Sequence, residues 1–301
     1  MRQCAIFLSC VPSRPLSTVE SFPGPRKRED CSVPQTRVPR PRRFLTCPPR
    51  FFDVRYAINP WMREDTVVDT ALAQTQWETL IRTYRDHGHR VETAEPVPGL
   101  PDMVFAANSA LVLEGRVFGS RFHAPQRRPE QLAYTSWFKA AGFEVHPPEA
   151  VCEGEGDLVP AGRFVLAGTG FRTTRAAHQE VQEFFGVPVI SLLLVDPYFY
   201  HLDTALFTLD EENIAYYPGA FSPGSREVLE RLFPEALIAT RDDAMAFGLN
   251  SVSDGRHVFV APRATGLIAQ LTDRGYVPVP VDLSELHKAG GGIKCCTQEI
   301  R

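Results

Sequence analysis

Near the C-terminus three glycines and a lysine lead into two cysteines, Gly290-Gly291-Gly292-Ile293-Lys294-Cys295-Cys296-Thr297. A cysteine becomes a nucleophile as its thiolate, which needs positive charge nearby to form close to neutral pH. The glycines let the backbone approach a ligand closely or adopt positive φ. The same residues also read as a buried structural cysteine pair, or as a vicinal disulfide. Tyr200-His201-Leu202-Asp203-Thr204 sets a histidine just before a strand, with an acid two residues on. In an extended stretch those two positions share a face, so Asp203 could orient His201 as a general acid and base. A capping or surface histidine is the alternative.

Glu153-Gly154-Glu155-Gly156-Asp157 gathers three carboxylates on a glycine-rich turn. They repel one another unless a cation sits among them: a metal, a Lys or Arg, or a cationic substrate. A solvated acidic loop is the other reading. Asp102 and Asn108 flank an apolar segment that reads as the entry to a strand and could face a pocket at its mouth; turn chemistry also explains them. Arg121 and Arg172 stand beside aromatics and could clamp a carboxylate in bidentate fashion, or lie exposed. A nucleophile, a histidine, carboxylates and arginines together suit a substrate with a cationic head and an anionic tail, arginine being the obvious example. No HExxH or Cys/His ligand spacing occurs, so the sequence indicates no metal.

These residues sit between alternating helices and strands. Asp69 to His87 carries Leu72, Trp77, Leu80 and Ile81 at helical spacing and stops at Gly88. Further helices are expected over 128–141, 174–185, 222–232 and 267–274. Val104 to Phe118 reads as two strands about a turn at Glu114-Gly115. Strands are also expected over 43–47, 90–92, 143–146, 164–167, 187–194, 204–209, 214–217, 237–239, 251–253, 258–261 and 277–281. The rhythm of strand, strand, helix, strand recurs about every 50 residues, which suggests about five structural repeats.

Composition bounds the answer from outside. Charged residues make up 23% and hydrophobic residues 44% of the 301, ordinary globular values. No apolar run reaches the ~18–20 residues of a membrane span. Seven scattered cysteines argue against a disulfide scaffold and for a reducing, cytoplasmic setting. Residues 1–43 hold nine Lys and Arg against three acids, a net +6 with seven prolines, and no apolar period. They read as a disordered extension. The remaining 258 residues carry −10 and read as one domain, 44–301. The overall charge of −4 argues against a nucleic-acid binder. A homodimer is compatible with the sequence, which does not fix the oligomeric state.

From about Arg43 to Arg301 the chain resembles the guanidino-group-modifying enzymes, and most of all the dimethylarginine dimethylaminohydrolases and their amidinotransferase-like relatives. The resemblance rests on Phe51 to Met62, Pro101 to Phe105, the Glu153 to Asp157 loop, Tyr200 to Thr204 and Gly290 to Thr297. It implies a pentein fold, an α/β propeller of five ββαβ units around an active-site channel, and a reaction that needs no cofactor. It implies Cys295 as nucleophile, His201 as general acid and base, and Glu153 as catalytic carboxylate. Glu155 is a second candidate for that carboxylate, because this loop is one residue longer than the family's. It further implies Asp203 against the guanidinium, Asp102 as a substrate-binding acid, and Arg121 with Arg172 on the substrate carboxylate. Asn108 departs from the family's aspartate. Dihydrolases that release two ammonias are similar in carrying Asn there, so one or two hydrolytic steps are both open.

Overall fold

A computed structural model describes residues 37–63 and 65–301. The first helix shows how local sequence makes these elements. Helix α1, Thr70–Asp86, starts where the Asp69 carboxylate accepts from Leu72 N at 2.9 Å. It buries Ala73, Gln76, Trp77, Leu80, Ile81 and Tyr84, a single stripe at helical spacing. Helix α2 spans Glu130–Ala140, α3 Arg175–Phe185 and α4 Pro223–Leu232, the last capped by Ser222. Two short helices, α5 at Arg241–Met245 and α7 at Ser284–His287, have no counterpart in the sequence reading; α6 spans Thr265–Asp273.

Among the described residues the strands form five sheets of three. Strand β3 (Ala110–Leu113) pairs antiparallel with β4 (Arg116–Gly119) through a turn with positive φ at Glu114 and Gly115, and β4 pairs parallel with β5 (Val145–His146). The pattern repeats with β6, β7 and β8 (Leu158–Ala161, Phe164–Thr169, Val189–Leu193). It repeats again with β9, β10 and β11 (Leu206–Thr208, Ile214–Tyr216, Leu237–Ile238). The fourth copy is β12, β13 and β14 (Val252–Ser253, His257–Val260, Val277–Pro280). In each, the helix sits on the parallel crossover. The architecture is therefore the expected five-bladed α/β propeller of ββαβ units.

The fifth blade joins the two ends of the domain. Strand β1 (Arg43–Thr46) pairs parallel with β2 (Arg90–Thr93) across α1, and antiparallel with β15 (Gln298–Glu299). The first strands of neighbouring blades touch: β15 meets β3, β6 meets β9, and β9 meets β12. Ahead of several of them runs a tight 3-10 turn, Ala106–Ser109 before β3, Gly154–Gly156 before β6 and Leu202–Thr204 before β9. The stretch expected as strand from Val104 thus begins as turns, and the strand starts only at Ala110.

Of the extension expected over residues 1–43, only Arg37 to Arg43 fall among the described residues; residues 1–36 lie outside them. Arg37 to Arg43 pack on the acidic body. Arg37 lies 2.9 Å from Asp210 and stacks 3.5 Å above the Tyr276 ring. Arg40 pairs with Glu211, Arg42 with Glu299 at 3.0 Å, and Arg43 with Glu92 at 2.6 Å. The positive charge concentrated near this end finds its partners in the negative remainder.

Glu155 ties down the C-terminal strand. Its Oε2 accepts from Glu299 N at 2.9 Å and from Lys294 Nζ at 2.7 Å, while its Oε1 accepts from Arg301. Glu155 is fully buried, so removing it strips Lys294 of its carboxylate and leaves Arg301 with Glu299 alone. Glu155→Ala is expected to lower unfolding free energy by roughly 3 kcal/mol, read as a shifted midpoint with unchanged slope in urea titration.

Candidate active site

The turns ahead of the inner strands converge on the axis. Cys295 is 2% exposed. Its Sγ donates to Asp203 Oδ2 at 3.1 Å and accepts from Asn250 Nδ2 at 3.1 Å. Burial pushes the Cys295 thiol well above its usual range, and the Asp203 charge and hydrogen bond push the same way. Burial likewise raises Asp203 to about 6, against the downward pull of the His201 charge and the thiol hydrogen bond. Lys294, the cation expected to favour the thiolate, instead bonds Glu155 and Thr297 O. Cys296 is buried among core residues.

Glu153 occupies the next turn. His201 Nε2 lies 2.7 Å from Glu153 Oε2, and because a carboxylate accepts, this nitrogen carries the proton. Arg172 Nη1 donates to the same oxygen at 3.0 Å, and His123 N donates to Oε1 at 2.9 Å. Burial opposes ionisation of Glu153, but the Arg172 guanidinium and then the His201 hydrogen bond outweigh it. The carboxyl is held well below its usual range. Arg172 also donates to Ile58 O and lies 4.7 Å over the Tyr200 ring.

Asp102 and Asn108 line the third side. Tyr56 donates to Asp102 Oδ2 at 2.8 Å. Asn108 Oδ1 accepts from Arg127 Nη1 at 2.7 Å, and its Nδ2 points to Glu153 O at 3.3 Å. Arg127 forks onto Glu130 at 3.0 and 2.8 Å and also donates to Asp102 O. Gly156 is required beneath this corner, since a Cβ there would lie 2.2 Å from Asn108 Nδ2.

The structure thus brings together Cys295, His201, Asp203, Glu153, Asp102, Asn108 and Arg172, and leaves out Arg121. That arginine is exposed, its backbone bridging Cys152 and its guanidinium on Glu149 O. The buried guanidinium is Arg127, six residues on. The residues His201 and Asp203 do not share a face either: the chain turns at Leu202–Thr204, so His201 meets Glu153 and Asp203 meets Cys295. The acidic loop separates into three jobs. Glu153 faces His201, Glu155 holds the C-terminal segment, and Asp157 accepts from Thr173 N and Leu202 N. Its cations are Arg172, Lys294 and Arg301. Sequence reading also missed Asn250, which stands two residues before β12 as Asn108 stands two before β3. Position within the repeat was the available signal.

Asp102 Oδ1, Asp203 Oδ1 and His201 Nδ1 are buried polar atoms without a hydrogen-bond partner. Such atoms carry a large desolvation cost unless something binds them. Two carboxylate oxygens and an imidazole nitrogen around a thiol suit a flat, multiply donating cation.

A family model for eukaryotic N,N dimethylarginine dimethylhydrolase matches residues 56–301. The chain is 51% identical over 267 residues to the N(G),N(G)-dimethylarginine dimethylaminohydrolase of Mycobacterium tuberculosis, 89% of this chain and 88% of that protein. It is 37% identical over 265 residues to the bifunctional arginine dihydrolase/ornithine cyclodeaminase AgrE of a Nostoc species, 86% of this chain but 38% of that longer protein. The product-bound crystal structure of the N-terminal domain of ArgZ, an arginine dihydrolase of cyanobacteria, matches with a TM-score of 0.84 at 34% identity. That match covers 87% of this chain and 98% of that one. Five ββαβ blades around a cysteine, a histidine and carboxylates are the architecture of the guanidino-group-modifying propellers. Within them, the chain belongs to the dimethylarginine dimethylaminohydrolase family.

The raised Asp203 has a stability consequence. The folded chain holds this proton up to about pH 6, the unfolded chain only to its ordinary value of 3.8. The group's contribution is therefore fully present below the lower value and lost as pH rises through the upper one. Asp203→Asn is expected to raise unfolding free energy at neutral pH by roughly 1–3 kcal/mol. The gain should shrink as pH falls through that window, measured by urea titration across pH, while turnover is lost.

Proposed function

We propose that the chain is a cysteine-dependent hydrolase of the guanidino group of N-methylated arginine or arginine, yielding citrulline with dimethylamine or ammonia. The observation that carries this reading is the Cys295 thiol on Asp203 beside the Glu153–His201 pair, with three unpartnered polar atoms around them. The 51% identity to a dimethylarginine dimethylaminohydrolase supports it.

Asp203 and Asp102 hold the guanidinium planar, with its carbon over the sulfur. The arriving cation favours the thiolate that burial disfavours. Cys295 Sγ forms a bond to the guanidinium carbon, and the proton lost by the sulfur is the one His201 returns to the departing amine. An S-alkylthiouronium remains. His201 then takes a proton from water, the hydroxide adds to the same carbon, and the C–S bond breaks to give the ureido product. Glu153 keeps the His201 Nε2 proton in place, so the unpartnered Nδ1 is the nitrogen that exchanges protons with the reaction. Arg172 is engaged by Glu153 and Ile58 O, and Arg127 by Glu130, Asn108 and Asp102 O, so these two guanidiniums set the charge behind the site rather than clamp the substrate carboxylate. The route uses no cofactor.

Asn108 favours a second reading, the arginine dihydrolase, in which a second hydrolysis gives ornithine and two ammonias. An amide accepts and donates where a carboxylate only accepts, so it grips a symmetric guanidinium less. The 37% identity to AgrE supports this branch. Transfer of the amidino group to an amine is a third outcome of the same thiouronium step. Among the described residues no helix is long and apolar enough to cross a membrane. The free thiols at Cys47, Cys152, Cys295 and Cys296 support a cytoplasmic setting.

Product analysis by mass spectrometry, with asymmetric dimethylarginine and arginine given separately, tests the reading. Citrulline and dimethylamine from the methylated substrate alone are expected; ornithine with ammonia from arginine would move the chain to the second reading. Cys295→Ser is expected to lose at least about a thousandfold in kcat, the scale of removing a covalent nucleophile. A Ser variant as active as the parent would remove Cys295 from the mechanism.

A further inference from the structure

We propose that Asn250 is a catalytic residue that donates a hydrogen bond to the Cys295 thiolate; this rests on Cys295 as nucleophile. Asn250 is 1% exposed, and its side chain makes four hydrogen bonds. Its Oδ1 accepts from Gly292 N at 3.0 Å and from Cys295 N at 3.1 Å. Its Nδ2 reaches Asp203 O at 3.0 Å and Cys295 Sγ at 3.1 Å.

The direction of the amide is fixed by these partners. Two backbone N–H groups can only donate, so the oxygen must face them. The nitrogen then faces a carbonyl and the sulfur, and the sulfur receives its N–H. Asp203, which also hydrogen-bonds the sulfur, is an acceptor and favours the protonated thiol. Lys294 is occupied elsewhere. Among the described residues, Asn250 is thus the side-chain donor oriented to stabilise negative charge on sulfur.

The surroundings hold this amide with little freedom. Phe247, three residues earlier, takes φ 61°, an unfavourable conformation for a bulky residue. Its ring is locked between His287, stacked at 4.3 Å, and Trp61 at 4.5 Å. Its carbonyl accepts from Asn250 N at 3.1 Å. On the other side, a Cβ on Gly292 would lie 3.0 Å from Asn250 Oδ1. The last glycine of the run therefore lets the nucleophile's own loop come down onto the amide.

Asn250→Asp separates anchoring from donation. A carboxylate still accepts from Gly292 and Cys295 but, ionised, offers the sulfur no proton and adds like charge. The full chain is alkylated with iodoacetamide across pH, and the Cys295-containing peptide is quantified by mass spectrometry, with thermal melts as the check on folding. Losing a donor to the charged form raises the thiol pKa, so at any fixed pH below it alkylation slows. A slowing of about tenfold is expected, which corresponds to a thiol pKa higher by about one. A fall in kcat of about a hundredfold, with KM far less affected, should accompany it. Asn250→Ser, smaller than the amide, serves if the Asp variant does not fold. Parent-rate alkylation at every pH in a folded variant would overturn the proposal. This readout is independent of substrate: loss of the nucleophile reading would show as turnover by Cys295→Ser, while the alkylation profile would still report on Asn250.

Discussion

The buried ion pair of Glu153 with Arg172 is the interaction on which the rest of the centre depends. An ionised carboxylate removed from water is tolerable only with a counter-charge and a full set of hydrogen bonds. Arg172 provides the charge, and His123 N and His201 complete the set. Because Arg172 lies between β7 and α3 and Glu153 ahead of β6, the pair is internal to one blade. It also reaches out of that blade. Arg172 bonds Ile58 O in the loop after β1, and Glu153 bonds the histidine that opens the next blade. Three segments far apart in sequence are thereby fixed around one oxygen atom.

A second corner follows the same logic with different residues. Arg127 and Glu130 neutralise each other behind Asn108 and Asp102. Burial raises Glu130 to about 7 against the pull of Arg127. The site is therefore lined by charges whose partners lie in an outer ring, and the ring fixes each inner side chain's orientation. Asn108 presents its amide nitrogen inward because Arg127 claims its oxygen. Asn250 presents its nitrogen to sulfur because two backbone N–H groups claim its oxygen.

Much of this was legible in the sequence, and the reason is chemical. A thiol after a glycine run, a histidine ahead of a strand and clustered acids are uncommon residue choices that elementary reactivity singles out. Helix α1 was legible too, because the spacing of Trp77, Leu80 and Ile81 is a local signal, although Leu72 of the same stripe is exposed. What was not legible depends on how turns are wound. Arg121 and Arg127 differ only in which one the loop before α2 sends inward; Arg121 is held out by its backbone bridge to Cys152, and Arg127 is drawn in by Glu130 three residues on. Glu153 and Glu155 stand two residues apart, one capping and one within the same 3-10 turn. Strand β15 is two residues long, too short to show any period, and its pairing with β1 is a contact between opposite ends of the domain. The glycine run has its cause in packing: a Cβ on Gly291 would lie 2.3 Å from the Phe105 ring.

That pairing of β1 with β15 sets the order in which the protein can come alive during its synthesis. Four blades consist of neighbouring segments and can assemble as the ribosome extends the chain. The blade that carries the nucleophile cannot, because Phe44 must wait for Glu299, some 255 residues later. Contacts across so long a separation form late. The histidine, the carboxylates and their arginines are thus in place on a partly made ring before the sulfur arrives. A reactive thiol in a growing polypeptide is exposed to oxidants and stray electrophiles. Here the pairing of Phe44 with Glu299 ties the enclosure of the Cys295 loop to the closing of the ring.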